Sequence, residues 1–142
     1  MQVTVELMPN QRDRPTILIV EDEVLIRMDI SDALRRAGYH VLEAAKAEDA
    51  IAILYSGVPV AVVFTDVRLA GPMDGLQLAV YIRDNHPATG CIMTSGHISA
   101  SDVPSSVVAP LIPKPYTHER VLAEIARHLL LLKLVDSRNS AT

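Results

Sequence analysis

Thr16-Ile-Leu-Ile-Val-Glu-Asp-Glu23 decides the fold. Its first five residues are an unbroken β-rich apolar run, and a run without polar alternation reads as a strand covered on both faces. The acidic triplet Glu21-Asp22-Glu23 ends it, after which Val24, Leu25, Met28, Ile30, Leu34 and Ala37 recur at helical spacing as far as Gly38. The same alternation repeats downstream. His40–Ala44 reads as a short strand and Ala47–Leu54 as a short helix. Val60–Thr65 reads as a second buried strand stopping at Asp66. The turn formers Ala70-Gly-Pro-Met-Asp-Gly75 lead into a helix from about Leu76 to Asn85, stopped by His86-Pro87, with Asp74 or Gly75 at its start. Cys91–Thr94 is a strand ending at Ser95-Gly96, and Leu111-Ile112 a very short one closed by Pro113-Lys114-Pro115. Thr117–Val135 is a long helix pattern with Val121, Leu122, Ile125, Leu129 and Leu132 on one side, whereas Pro104 excludes a long regular helix beginning well before it.

Strands alternating with helices imply an α/β domain with a parallel sheet and helices on both faces. The 142 residues suit one such domain, with boundaries expected at 1–14 for an N-terminal tail, 15–135 for the domain and 136–142 for a polar C-terminal tail. The alternation in Gln2–Leu7 reads as a tail or an added edge strand. Thirteen Lys+Arg against seventeen Asp+Glu give a net charge of −4, which offers no general attraction to nucleic acid or an anionic membrane. The single cysteine, Cys91, lies in an apolar strand and reads as a small buried hydrophobe. The N-terminus lacks a signal peptide's apolar block, and no stretch approaches the ~18–20 apolar residues of a membrane span. A cytoplasmic location is the expectation.

In open parallel sheets the reactive groups gather at the carboxyl ends of the strands. Here those ends carry Glu21-Asp22, Asp66, Ser95 and Lys114. Singly each has an ordinary explanation: acids opening a helix, a turn aspartate, a turn serine, a surface lysine. Together they form a chemistry. Clustered carboxylates repel unless a cation neutralises them, and hard oxygen donors with room for water suit Mg²⁺. A carboxylate beside that metal can attack phosphorus and become an aspartyl phosphate, with the metal and a lysine ammonium neutralising the phosphoryl oxygens.

The motifs Ile-Leu-Ile-Val-Glu-Asp-Glu (17–23), Val-Phe-Thr-Asp-Val (63–67), Met-Asp-Gly (73–75), Ile-Met-Thr-Ser-Gly (92–96) and Lys-Pro-Tyr (114–116) resemble the receiver domain of two-component response regulators, over roughly residues 15–134. The resemblance implies a doubly wound, flavodoxin-like sheet of five parallel strands in the order 2-1-3-4-5 with about five helices, the fourth short or irregular. It implies Asp66 as phosphoacceptor and Asp22 as direct Mg²⁺ ligand, with Glu21 acting through water and Arg68 through its backbone carbonyl. Ser95 corresponds to the hydroxyl that follows the phosphoryl group, Gly96 to the small residue beside it, and Lys114 to the phosphate-pairing lysine, joined to Pro115 by a cis bond. Arg68 and His97 occupy the positions that tune phosphoryl lifetime. His97 on its own reads as a solvated loop residue.

There are also departures. The loop from Asp66 to Gly75 is one residue longer than the usual spacing, and Leu111 stands where the family carries its switch aromatic. The implied function is a phosphorelay receiver of the stand-alone type, fed by a histidine kinase or histidine phosphotransfer protein and signalling by protein contact. The surplus leucines of Leu129–Leu132 suggest a homodimer or target surface on the last helix, or else added core packing. Two other functions compete. One is a phosphorylation-independent interaction module. The other is a phosphatase of the haloacid-dehalogenase type, which wants a second acid where Arg68 stands. A self-phosphorylating switch, not a turnover enzyme, is the leading reading.

Overall fold

The structure, a computed structural model, describes residues 14–105, 107 and 109–140. Five strands, β1 (Thr16–Val20), β2 (His40–Ala44), β3 (Val62–Asp66), β4 (Gly90–Ser95) and β5 (Leu111–Pro113), form one sheet in the order β2-β1-β3-β4-β5. Every pairing is parallel. The helices are α1 (Val24–Arg36), α2 (Ala47–Tyr55), α3 (Gly75–Asn85) and α4 (His118–Ser140). Where the fourth of about five helices was expected to be short or irregular, the described residues form a 3-10 turn, Ala100–Asp102, so the long last helix is α4. Pro104 and Pro110 each lack the amide donor that a helix interior needs.

The apolar runs follow from burial on both sides. Ile17 and Ile19 point into a cluster with Ile30, Leu34, Val62, Phe64, Ile92, Val121 and Ile125 under α1 and α4. Leu18 and Val20 point the other way, joining Ala50, Leu54, Val63, Leu78, Ile82 and Met93 under α2 and α3. Each such fully buried aliphatic side chain contributes about 1.5–3 kcal/mol over its exposed state. The connection between β4 and β5 supplies Ile98, Val103, Val107 and Ala109 to the second cluster. Cys91 is buried, and burial pushes its thiol up to about 12, so it behaves as the expected small hydrophobe.

Most element ends fall within a residue of expectation; β3 and the last helix differ by more. β3 begins at Val62, not Val60, because the Val60 carbonyl accepts from the Thr89 hydroxyl at 3.0 Å, and it includes Asp66, which pairs with Thr94. The last helix runs past Val135 to Ser140, since residues 136–140 contain neither proline nor glycine to stop it. The Gln2–Leu7 segment lies outside the described residues.

Asp74 caps α3. Its Oδ1 accepts from the Gln77 amide at 2.8 Å while Gln77 Oε1 accepts from the Asp74 amide at 2.9 Å, a reciprocal capping box. Asp74→Ala is expected to cost about 1 kcal/mol in urea unfolding.

Candidate functional site

Parallel register brings the strand ends together. Glu21 leaves β1 with its amide on the Ala44 carbonyl at 3.0 Å, and Asp66 ends β3 beside it. Lys114 follows β5, its amide held by the Ser95 carbonyl at 2.9 Å. The Lys114–Pro115 bond is cis, as expected.

Carboxylate oxygens of Glu21, Asp22 and Asp66 lie within 4.8 Å of one another. Lys114 Nζ bridges two of these acids, donating to Asp66 Oδ2 at 2.8 Å and to Glu21 Oε2 at 3.2 Å. The second Asp66 oxygen, Oδ1, accepts the Arg68 amide at 3.1 Å. Asp22 Oδ2 accepts the Ala70 amide at 3.1 Å across 48 residues of chain. Arg68 contributes only backbone to the cluster; its side chain is exposed. Ser95 is buried at the neighbouring strand end, but its Oγ accepts the amides of His97 at 3.0 Å and Ile98 at 3.3 Å and so is turned to the following loop.

Electrostatics follow from that crowding. Burial, then the charge of Asp66, push the Glu21 carboxyl up to about 7, against the opposing pull of the Glu23 amide and Lys114. Burial alone would lower Lys114. Its hydrogen bond to Asp66 and the charges of Asp66 and Glu21 outweigh that, and the ammonium is held above its ordinary range. One ammonium facing three carboxyl groups leaves the cluster electron-rich. Hard, partly accessible oxygen donors with excess negative charge fit a magnesium-sized cation that retains water.

Several supporting residues carry no signal in the sequence pattern. Arg27 Nη1 donates to the Glu21 carbonyl at 2.7 Å while its Nε pairs with Glu43 at 3.3 Å, fixing the turn that presents Glu21 and Asp22. Thr65 Oγ1 donates to the Asp66 carbonyl at 2.9 Å. Gly75 abuts the Asp66 and Val67 backbone, and its amide bonds the Val67 carbonyl at 2.8 Å. A glycine directly after a capping aspartate was the one available hint of this close approach.

A doubly wound sheet whose strand ends converge three acids and a lysine defines a class of phosphoryl-handling switch domains. The family model described as response regulator receiver domain matches residues 17–126, and the chain belongs to that family. The sensor kinase CckA of Brucella abortus is 33% identical over 118 residues, covering 80% of this chain and 12% of that protein. The nitrogen assimilation regulatory protein NtrX of Azorhizobium caulinodans is 32% identical over 125 residues, covering 83% of this chain and 27% of that protein. The chain thus spans only a small part of these curated relatives' length. Among solved structures, a response regulator receiver protein from Sinorhizobium medicae WSM419 superposes with a TM-score of 0.77 at 28% identity, covering 85% of this chain and 98% of that one. NtrX from Brucella abortus gives a TM-score of 0.81 at 30% identity, over 91% of this chain and 30% of that one.

Proposed function

We propose that the chain accepts a phosphoryl group on Asp66 from a histidine kinase or histidine phosphotransfer protein and passes the signal on by protein contact. The observation that carries this reading is Lys114 spanning Asp66 and Glu21 beside the third acid, Asp22. An Asp66 carboxylate oxygen attacks the phosphorus of the phosphohistidine. The P–N bond breaks, the imidazole leaves with its electron pair, and an acyl phosphate forms. Lys114 moves from carboxylate to phosphoryl oxygen as charge shifts outward, and Ser95 Oγ trades its loop amides for the same group. Asp22 and Asp66, with Glu21 through water and the Arg68 carbonyl, would hold Mg²⁺, which when bound neutralises the phosphoryl oxygens. The chain then acts as a switch, not a turnover enzyme. A haloacid-dehalogenase chemistry is not favoured, because the exposed side chain of Arg68 stands where the second acid would be needed.

The partner's approach is read from α1. Leu25 is 81% exposed, with Val24 and Met28 also open to solvent. Leu25 and Ile26 border a cleft of about 510 Å³ whose other wall is Lys114, Pro115 and Tyr116. Tyr116 is braced there edge-on against Phe64, with ring centres 5.7 Å apart. An apolar surface beside Lys114, which itself contacts Asp66, suits a helical surface that carries a phosphohistidine. No helix among the described residues is long and apolar enough to cross a membrane. We read the location as cytoplasmic, by analogy with the receiver family, and the net charge of −4 as disfavouring direct nucleic-acid contact.

Metal binding supplies a test. Glu21's carboxyl sits above its ordinary value, so its contribution to stability is present below about 4.5 and is lost as pH rises through about 7. Proton and Mg²⁺ therefore compete. Affinity for Mg²⁺ is expected to fall as pH drops through about 7, by at most about tenfold per pH unit, and to level off above it. Calorimetric titration across that range checks this; a flat profile from pH 5.5 to 8.5, or no binding, contradicts the assigned site.

A further inference from the structure

Beneath the loop between β3 and α3 lies a carboxylate that the reaction above does not use. Glu48, in the first turn of α2, has both Oε1 and Oε2 shielded from solvent with no hydrogen-bond partner among the described residues. A bare buried carboxylate is costly unless something compensates it at some stage of the protein's cycle. The loop residue against it is Gly71, at φ +102°, where an added Cβ would sit 3.7 and 3.9 Å from the two Glu48 oxygens. Pro72 has no amide hydrogen, so Ala70 and Gly71 carry the loop's donors at this point. One of them is already committed, the Ala70 amide to Asp22 Oδ2 at 3.1 Å.

Asp22 is thus asked to serve two ends. A carboxylate that turns its charge to a cation becomes a poorer acceptor for a loop amide. We propose that Glu48 is a positioning residue for the metal site: the loop around Ala70-Gly71 is anchored by Asp22 when no cation is bound and by Glu48 when Asp22 faces one. This inference rests on the reading of Asp22 as a metal ligand. Glu48 touches neither the cation nor the phosphoryl group; it acts through the loop whose first residues supply the Arg68 carbonyl. Gly71, at a backbone angle open to glycine, lets the flanking peptides reorient between the two anchors.

The test is a Mg²⁺ titration of the full ¹⁵N,¹³C-labelled chain by NMR, in wild type, Glu48→Ala and Glu48→Gln. In wild type the Ala70 and Gly71 amide resonances should move along the same saturation curve as the side-chain carboxyl carbons of Asp22 and Asp66. Glu48→Ala should weaken Mg²⁺ binding by about tenfold or more, as for the loss of one hydrogen bond to a charged group. Glu48→Gln, which keeps an acceptor, should recover most of that loss. A purely structural Glu48 would change thermal stability and leave the Mg²⁺ affinity alone. Carboxyl shifts on Mg²⁺ addition without movement of the Ala70 and Gly71 amides would overturn the two-anchor loop while leaving the metal site standing. An unchanged affinity in Glu48→Ala would do the same. Absence of any carboxyl shift in wild type would remove the metal reading and this inference with it. The wild-type amide measurement decides the matter even if the alanine variant does not fold.

Discussion

Asp66→Asn is expected to abolish phosphoryl uptake from both a phosphorylated histidine kinase and acetyl phosphate, followed by phosphate-affinity electrophoresis. The amide keeps the shape but only one acceptor oxygen, so it can accept either the Arg68 amide, at 3.1 Å in the carboxylate, or the Lys114 ammonium, at 2.8 Å, and its NH2 meets the other donor. At a strand end that loss is local and the fold should persist. What is lost is the anionic oxygen that attacks phosphorus. Removing that charge also removes one of the two forces that raise Glu21, so the Glu21 carboxyl should titrate closer to its ordinary range in this variant. Loss of uptake with retained fold separates chemistry from stability. Uptake equal to wild type would place the acceptor elsewhere.

Gly75→Ala should have the largest effect on the fold of any single methyl addition at the described glycines. A Cβ there would collide with the Asp66 carbonyl oxygen and lie 2.8 Å from Val67 Cα and 2.9 Å from the Asp66 carbonyl carbon. All three are backbone atoms that cannot rotate aside, and the 2.8 Å bond from the Gly75 amide to the Val67 carbonyl pins the approach. The expected cost is at the upper end for overpacking, about 3 kcal/mol, or a melting temperature lower by roughly 10 °C. Gly96→Ala, whose Cβ would meet only Lys114 Cβ at 3.6 Å, should cost about 0.5 kcal/mol or less by the same measurement. Because Gly75 wedges the backbone of Asp66 itself, any surviving Gly75→Ala protein should also take up phosphate more slowly. Equal melting temperatures for the two variants would show that the helix start yields to accommodate the methyl.

The sheet was legible because burial on both faces leaves a crude mark: Ile17–Val20 and Cys91–Met93 have no polar residue on either side of the pleat. The acids and the lysine were legible for the complementary reason. A charged residue directly after such a run has to stand at the strand's exit, and parallel strands share one exit edge. The capping role of the Asp74 region could be read from composition. Backbone geometry could not. That Ser95's hydroxyl turns to the His97 and Ile98 amides, that Asp22 clasps Ala70, and that Gly75 lies against Asp66 are tertiary facts between segments that carry no mutual periodicity. The end of α4 was misjudged for a different reason. Polar composition in residues 136–140 suggested a tail, but helix propensity without a breaker continues a helix already nucleated by Val121 and Ile125 in the core.

Leu111 bears on how a signal leaves the site. It packs, half-buried, against the cluster that contains Met93, and among the described residues between Ser95 and Leu111 the one helical element is the Ala100–Asp102 turn. A hydroxyl that releases the His97 and Ile98 amides would therefore loosen a segment held by Ile98, Val103 and Val107, shifting a population between two arrangements of that segment.

The central claim is that the strand-end cluster makes Asp66 a phosphoacceptor that depends on a divalent cation. Intact mass spectrometry after incubation with acetyl phosphate and Mg²⁺, followed by peptide-level location of the modification, tests it most directly. One phosphate-sized adduct is expected, located at Asp66 and lost when Mg²⁺ is chelated beforehand. No adduct in the presence of Mg²⁺, or an adduct located at any other residue, would contradict it.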